Sequence, residues 1–178
     1  MLETMFYDYC KAMMESIQED EMPAMERAAD LIANAVAGSH SFLIHDRGHL
    51  IGGELLARAG GAAFVRRLDV ALPDPALLAP HTGTRAASRA RLSGDALVRR
   101  RRAFELEYVD YLFDINGLGQ GDVLLLNSNS GHGFSATAIA QTAKKKGLTL
   151  IVMSSKATAG AVAPESGQQK LADITMRV

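Results

Sequence analysis

The chain contains little of what would place it in a specialised class of proteins. Its 178 residues include one cysteine, Cys10, and no tryptophan, which excludes an internal disulfide framework and fits a reducing compartment. No apolar run reaches the roughly 20 residues that span a bilayer, and the acidic start lacks the basic and apolar regions of a signal peptide. The net charge of −1 gives no reason to expect nucleic acid or a membrane as a partner. We therefore expect a cytoplasmic protein.

The length and apolar content suffice for a single packed domain over residues 1–178, since 48% of the residues are hydrophobic. Residues 1–37 contain two stretches with apolar side chains at helical spacing. Pro23 separates them, because proline breaks a helix or opens the next one, and Gly38 ends the second. This pattern predicts an N-terminal helical pair, which packs either on its own domain or on a second subunit; the sequence leaves both options open.

Residues 38–178 alternate short apolar runs with helical patterns, which predicts an α/β core. Runs of continuous apolar residues predict strands that are buried on both faces, and helices between them predict a parallel sheet in a three-layer α/β/α sandwich. The predicted strands are SFLIHD, AAFVRRL, GDVLLLNSNS, TLIVMSS and DITMRV, with helices at LIGGELLARAGG and FSATAIAQTAKKKG.

Residues 69–103 interrupt this alternation and are predicted to form a long insertion. Its first part, DVALPDPALLAPHTGT, holds three of the five prolines and predicts a loop. The following segment is helical in pattern and rich in arginine. That basic cluster is either a solvated face neutralised by nearby acids or a partner subunit, or a means of recruiting an anionic ligand. Nucleic acid is the least favoured partner, because no aromatic platform or DNA-reading helix accompanies the charge.

The stretch NSNSGHGFSATAIA contains a polar, glycine-rich turn between a buried strand and a helix. Ser128 and Ser130 offer hydroxyl donors, while Gly131 and Gly133 allow close approach of the backbone to a ligand. The N-terminus of the helix that starts near Phe134 directs unpaired N–H groups at the same space. Neither a Walker loop nor a dinucleotide-binding GxGxxG pattern is present. The turn therefore predicts a phosphate site, with a simple serine-capped turn as the alternative.

The segment GDVLLLNSNSGHGFSATAIAQTAKKKGLTLIVMSS resembles the signature of SIS (sugar isomerase) domains, and the rest of the chain is loosely similar to the small bacterial group related to phosphoheptose isomerases. The resemblance implies a flavodoxin-like sheet of five parallel strands, a homodimer or homotetramer, and a sugar phosphate ligand. We expect no metal or other cofactor, because the histidines are irregularly spaced and neither an HExxH motif nor a cysteine cluster is present.

Two sequence regions carry the ligand-binding residues that the resemblance implies. In the first strand's loop, Gly48 stands where the family has a phosphate-binding serine, and Arg47 offers a charged replacement unless Asp46 pairs with it. The other implied phosphate- and sugar-binding positions are Ser128, Asn129, Ser130, Gly131, Ser135, Ser154 and Ser155.

An aldose–ketose isomerase also needs a base that moves a proton between C1 and C2, and an acid or base for ring opening. Glu54 resembles the catalytic glutamate of phosphoheptose isomerases, although a lone helix glutamate is also typical of a solvated surface. The family's ring-opening histidine often follows the fifth strand, where this sequence ends. We therefore expect His81 or His132 to assist, or a histidine from another subunit. His45 is predicted to be a hydrogen-bonded strand residue.

Three functions are compatible with these residues. The first is a sugar phosphate isomerase that acts through an enediol, with Glu54 as its base. The second is a non-catalytic phosphosugar-binding sensor or regulatory module that keeps the phosphate site. The third is an oligomeric scaffold whose site is empty or binds inorganic anions.

Overall fold

A computed structural model describes residues 2–47, 51–56, 61–70, 94–128, 134–155 and 167–177 of the chain. Of the predicted 69–103 insertion, residues 71–93 lie outside these ranges and residues 94–103 begin a long helix. The elements are α1 (Leu2–Asp20), α2 (Met22–Ala37), β1 (Phe42–Asp46), α3 (Ile51–Leu56), β2 (Val65–Arg67), α4 (Gly94–Ile115), β3 (Val123–Asn127), α5 (Phe134–Lys145), β4 (Thr149–Ser154), a 3₁₀ helix (Gln169–Leu171) and β5 (Ile174–Arg177).

The described strands form one five-stranded sheet in the order β2-β1-β3-β4-β5, and every neighbouring pair is parallel. The central pair, β1 and β3, is in register from Phe42 beside Val123 to Asp46 beside Asn127. This order is that of flavodoxin-like sheets. The predicted five-stranded parallel sheet with its N-terminal helical pair is therefore confirmed.

Helices cover both faces of the sheet, because successive strand residues point to opposite faces and both sets are apolar. One face packs against α2, where Ala28 and Ala35 allow close approach of the helix. The other packs against α4 and α5, through Phe113 and Ile139, neither of which is exposed. The result is three layers, and it leaves the ends of the strands as the places where polar groups can gather.

A turn before β3 fixes the amino edge of the sheet. Gly121 has a φ of +95°, and a Cβ atom there would lie 2.3 Å from a ring carbon of His40, so the turn requires glycine. The carboxylate of Asp122 accepts hydrogen bonds from the backbone N–H groups of Ser41 at 2.7 Å and Gly119 at 2.9 Å. These bonds tie the start of β3 to the start of β1.

The helices α4 and α5 lie side by side and run in the same direction. Lys145 Nζ lies 3.2 Å from the Asp110 carboxylate, and Lys146 bonds both Asp110 and Asp114. Hydrogen bonds from the two lysines lower the pKa of Asp110, and the bond to Asp114 raises the pKa of Lys146. Because both helices lead into amino ends of strands, their N-termini lie towards the carboxyl edge of the sheet.

No residue of α1 is buried, although several of its side chains are large and apolar. Pro23 lies in the first turn of α2, which agrees with the predicted break between the two helices. The start of α2 is held at the carboxyl end of β5, where Glu21 Oε2 accepts a hydrogen bond from the Arg177 N–H at 2.9 Å. In the part of the chain that the structure describes, no helix combines the length and hydropathy needed to cross a membrane.

Candidate functional site

The strand order creates a crevice at the carboxyl ends of β1 and β3. The chain leaves β1 towards β2 on one side and leaves β3 towards β4 on the other, so the connections diverge there. Ligands of open α/β sheets bind in the crevice that such a reversal leaves. The candidate site is therefore built from the residues at and just after these strand ends.

The floor of this crevice is a polar pair that joins the two strand ends. Asn127 Nδ2 donates a hydrogen bond to Asp46 Oδ1 at 2.7 Å, and the backbone N–H of Arg47 donates to the Asn127 carbonyl at 2.9 Å. Asn127 is buried. Because the pair spans the central strands, it ties the carboxyl ends of β1 and β3 together.

Three buried serines surround the same edge. Ser128 follows β3 and donates its backbone N–H to the Met153 carbonyl at 3.0 Å; Ser135 lies in the first turn of α5, and Ser154 ends β4. The Ser154 hydroxyl accepts a hydrogen bond from Gln169 Nε2 at 2.9 Å. Within the described ranges, the hydroxyls of Ser128 and Ser135 form no hydrogen bond to another residue. They are therefore available as donors to a ligand.

The remaining predicted site residues divide into two groups. Arg47 and Ser155 are described and exposed, at the ends of β1 and β4. Asp46 Oδ1 accepts a hydrogen bond from Asn127, and no ion pair between Asp46 and Arg47 occurs among the described residues. Glu54 lies on α3 with its side chain exposed. The predicted positions that lie outside the described residues are Gly48, His81, Asn129, Ser130, Gly131 and His132.

His45 is buried at the carboxyl end of β1, as predicted for a hydrogen-bonded strand residue. Its Nδ1 lies 2.8 Å from the Leu68 carbonyl, which only accepts, so Nδ1 carries the proton. Nε2 then presents a lone pair, which has no partner among the described residues. Burial lowers the pKa of His45, against an opposing effect of the Leu68 bond, and the nearby Arg47 charge lowers it further. A neutral imidazole follows.

Sequence reasoning missed Asn127 and Gln169. Asn127 ends an otherwise apolar strand run, and the register that places it beside Asp46 follows once the strands are known to be neighbours. Gln169 had no comparable signal, because its contact with Ser154 depends on how the chain returns to the sheet after β4.

The arrangement suits an anion better than a neutral ligand. Two unpaired hydroxyls flank a segment that runs from a strand end to the N-terminus of α5, where the first N–H groups of a helix lack intrahelical partners. Arg47 adds a positive charge at the same edge, and guanidinium groups match phosphate geometry. The described groups therefore provide donors and positive charge at one edge of the sheet.

Comparison with known proteins identifies a family and several relatives. A family model described as the SIS domain matches residues 5–155. The UPF0309 proteins of Brucella ovis and Brucella canis are each 28% identical over 171 residues, which cover 93% of this chain. The chain spans only 62% of the length of these relatives.

Two solved structures share the fold at low sequence identity. The phosphoheptose isomerase GmhA from Neisseria gonorrhoeae has a TM-score of 0.55 and 14% identity, and the match covers 99% of this chain and 83% of that one. A phosphoheptose isomerase from Francisella tularensis has a TM-score of 0.57 and 17% identity, with the same coverage. At these identities the similarity concerns the fold.

Proposed function

The chain belongs to the SIS domain family, and from this premise we propose that it binds a sugar phosphate at the carboxyl ends of β1, β3 and β4. The observation that carries the proposal is the pair of buried serines, Ser128 and Ser135, whose hydroxyls have no partner among the described residues. They stand on either side of the chain segment that joins β3 to α5. A phosphate there would accept bonds from both hydroxyls and from the first N–H groups of α5.

In this proposal the phosphate is held mainly by neutral donors, with Arg47 supplying charge at the rim. The remaining proposed ligand contacts are Gly48, Asn129, Ser130, Gly131, Ser154 and Ser155. Ser154 is already oriented by Gln169, which leaves its hydroxyl proton available for a ligand oxygen.

Ligand-dependent stability tests the binding proposal directly. A ligand that binds only the folded chain raises its unfolding free energy, by about 2.7 kcal/mol at one hundred times Kd. We expect sugar phosphates to raise the Tm of the wild type. Ser135→Ala should weaken this binding roughly tenfold, because it removes a hydrogen bond to a charged group. Ser16→Ala on α1 is the matched control and should bind as the wild type does; equal binding by Ser135→Ala would contradict the proposed site.

We further propose that the bound sugar phosphate is isomerised between its aldose and ketose forms, with Glu54 as the base. The supporting observation is that α3, which carries the exposed Glu54, begins five residues after the carboxyl end of β1, the strand end at which the site is proposed. Glu54 would remove the proton from C2 of the open-chain aldose, forming an enediol, and return it to C1. His81 or His132 would move the hydroxyl protons and open the ring.

Exchange of a carbon-bound proton separates this enzyme from a non-catalytic sensor. In D₂O, an isomerase incorporates deuterium into the sugar phosphate at C2 or C1, and NMR detects it. Glu54→Gln should abolish incorporation while leaving the ligand-induced rise in Tm unchanged, whereas Glu26→Gln, an exposed glutamate on α2, should have no effect. Ligand binding without exchange in the wild type would favour the regulatory binding module.

We also infer that the chain forms a homodimer or homotetramer through α1, with a second copy of α1 as the occupant of its apolar face. Leu2, Phe6, Tyr9 and Met13 recur at helical spacing and are 83%, 70%, 60% and 44% exposed. Contiguous apolar surface of this kind is typical of a protein contact.

A further inference from the structure

The charged residues of α4 are distributed unevenly along the helix. The first half of the helix, residues 94–104, contains four arginines and one aspartate, and the second half, residues 105–115, contains four acids and no basic residue. Lys145 and Lys146 of α5 neutralise part of the acidic half. The proposed function assigns no role to the basic half.

The basic half of α4 extends beyond the carboxyl edge of the sheet. A helix of 22 residues is about 33 Å long, whereas the five residues of β3 span about 17 Å. Because α4 ends at the amino edge, its excess length lies at the other end. Phe113, Val109 and Glu105 are buried in succession along the helix, whereas Arg102 and Arg99, which lie nearer its N-terminus, are exposed.

Arg102 and Arg99 continue the stripe of α4 that faces the sheet. Residues three or four apart share a helix face. Arg102 and Arg99, which lie three and six residues before Glu105, therefore lie on the same face of α4 as Glu105. Both arginines are exposed, whereas Glu105 is 2% exposed. The change occurs where the sheet ends, which places the two arginines towards the space above the carboxyl edge rather than on the outer surface of the layer.

Along the direction of the two parallel helices, Arg99 and Arg102 lie at the level of the first residues of α5. The contact of Lys145 with Asp110 joins residues 35 positions apart, and Leu106 and Glu107 line a groove with Gln141 and Thr142 at the same offset. Since both helices have the same rise per residue, this offset brings Arg99 level with Phe134, the first residue of α5. The arginines therefore stand beside the helix N-terminus of the proposed phosphate site.

We propose that Arg99 and Arg102 form a second anion-binding element of this site, so that its preferred ligand is a sugar phosphate with a second anionic group, a phosphate or a carboxylate. The proposal rests on the proposed sugar phosphate site and specifies its ligand class. Two guanidinium groups suit this role because each offers a planar set of donors to phosphate or carboxylate. In this arrangement Ser128 and Ser135 would hold the phosphate, and the two arginines would contact the second anion.

Matched pairs of ligands test the proposal by calorimetry at one fixed ionic strength. The pairs are fructose 6-phosphate with fructose 1,6-bisphosphate, and glucose 6-phosphate with 6-phosphogluconate. We expect the wild type to bind the member with two anionic groups at least about tenfold more tightly in one pair or both. Arg99→Gln/Arg102→Gln should remove that preference and change the Kd of the monophosphates less than about twofold. Equal Tm values of the unliganded proteins would show that the variant is folded.

The control variant is Lys11→Gln/Arg27→Gln, which removes the same charge from exposed residues of α1 and α2 and should keep the preference. If the wild type binds monophosphates and Ser135→Ala weakens them, but no second anion improves binding, the second element is wrong and the sugar phosphate site stands. A preference that persists in the arginine variant overturns the assignment of these residues. If no ligand of either kind binds the wild type, the proposed function and this inference both fail.

Discussion

At the scale of single residues, His45 makes stability depend on pH. Burial lowers its pKa from 6.5 in the folded chain. Above about pH 6.5 the imidazole is neutral in both states; below it the unfolded chain takes up a proton that the folded chain does not. The free energy of unfolding therefore falls as the pH falls from about 6.5 towards the folded pKa, by at most about 1.4 kcal/mol per pH unit.

His45→Asn isolates this contribution, because the asparagine amide can donate to the Leu68 carbonyl as Nδ1 does but does not titrate. We expect the unfolding free energy of the wild type, measured in urea, to fall more than that of the variant as the pH is lowered from 7 to 5. Parallel pH profiles for the two proteins would show that His45 titrates alike in the folded and unfolded chain.

The residue scale is also where sequence reasoning reached its limit. The burial of His45 followed from its place in an apolar strand, and the serines followed from their place after one. The Asp46–Asn127 bond did not, because the asparagine and its acceptor come together only through the register of two strands that are 81 positions apart. The competing prediction paired Asp46 with Arg47, because the two residues are adjacent in the sequence.

At the scale of elements, continuous apolar runs were sufficient to predict the strands that are buried on both faces. Leu124, Leu126, Leu150 and Val152 are fully buried, so the runs around β3 and β4 are apolar without interruption and end at polar residues. The predicted strand AAFVRRL is shorter in the structure, where β2 comprises Val65–Arg67 and pairs with β1 alone. An edge strand with exposed arginines gains less from burial, which explains why its pattern was weaker.

Helix α4 shows what elements contribute that periodicity does not. Its helical pattern and its arginines were both apparent in the sequence, but their relation to the phosphate site was not. That relation depends on the direction of α4 against the sheet and on its ion pairs with α5, which set the offset between the helices. The proposal of a second anion-binding element therefore belongs to the packing of two helices rather than to the arginine run itself.

At the scale of the whole molecule, the apolar face of α1 predicts that the chain self-associates. We expect sedimentation equilibrium to give a dimer or tetramer for the wild type. Phe6→Lys/Met13→Lys should weaken association at least about a hundredfold, because burying each of these side chains contributes about 1.5–3 kcal/mol. Helix content and Tm should be measured on the same samples, so that loss of α1 is distinguished from loss of the contact.

Glu15→Lys is the matched control, since it places the same new charge on the polar side of α1, where Glu15 pairs with Lys11. It should leave the mass of the assembly unchanged, because that side is hydrated in either state. A wild type that sediments as a monomer at tens of micromolar would contradict the contact between copies. A variant that stays associated would instead place the contact on another surface, since two lysines in an apolar interface cannot be hydrated without separating it.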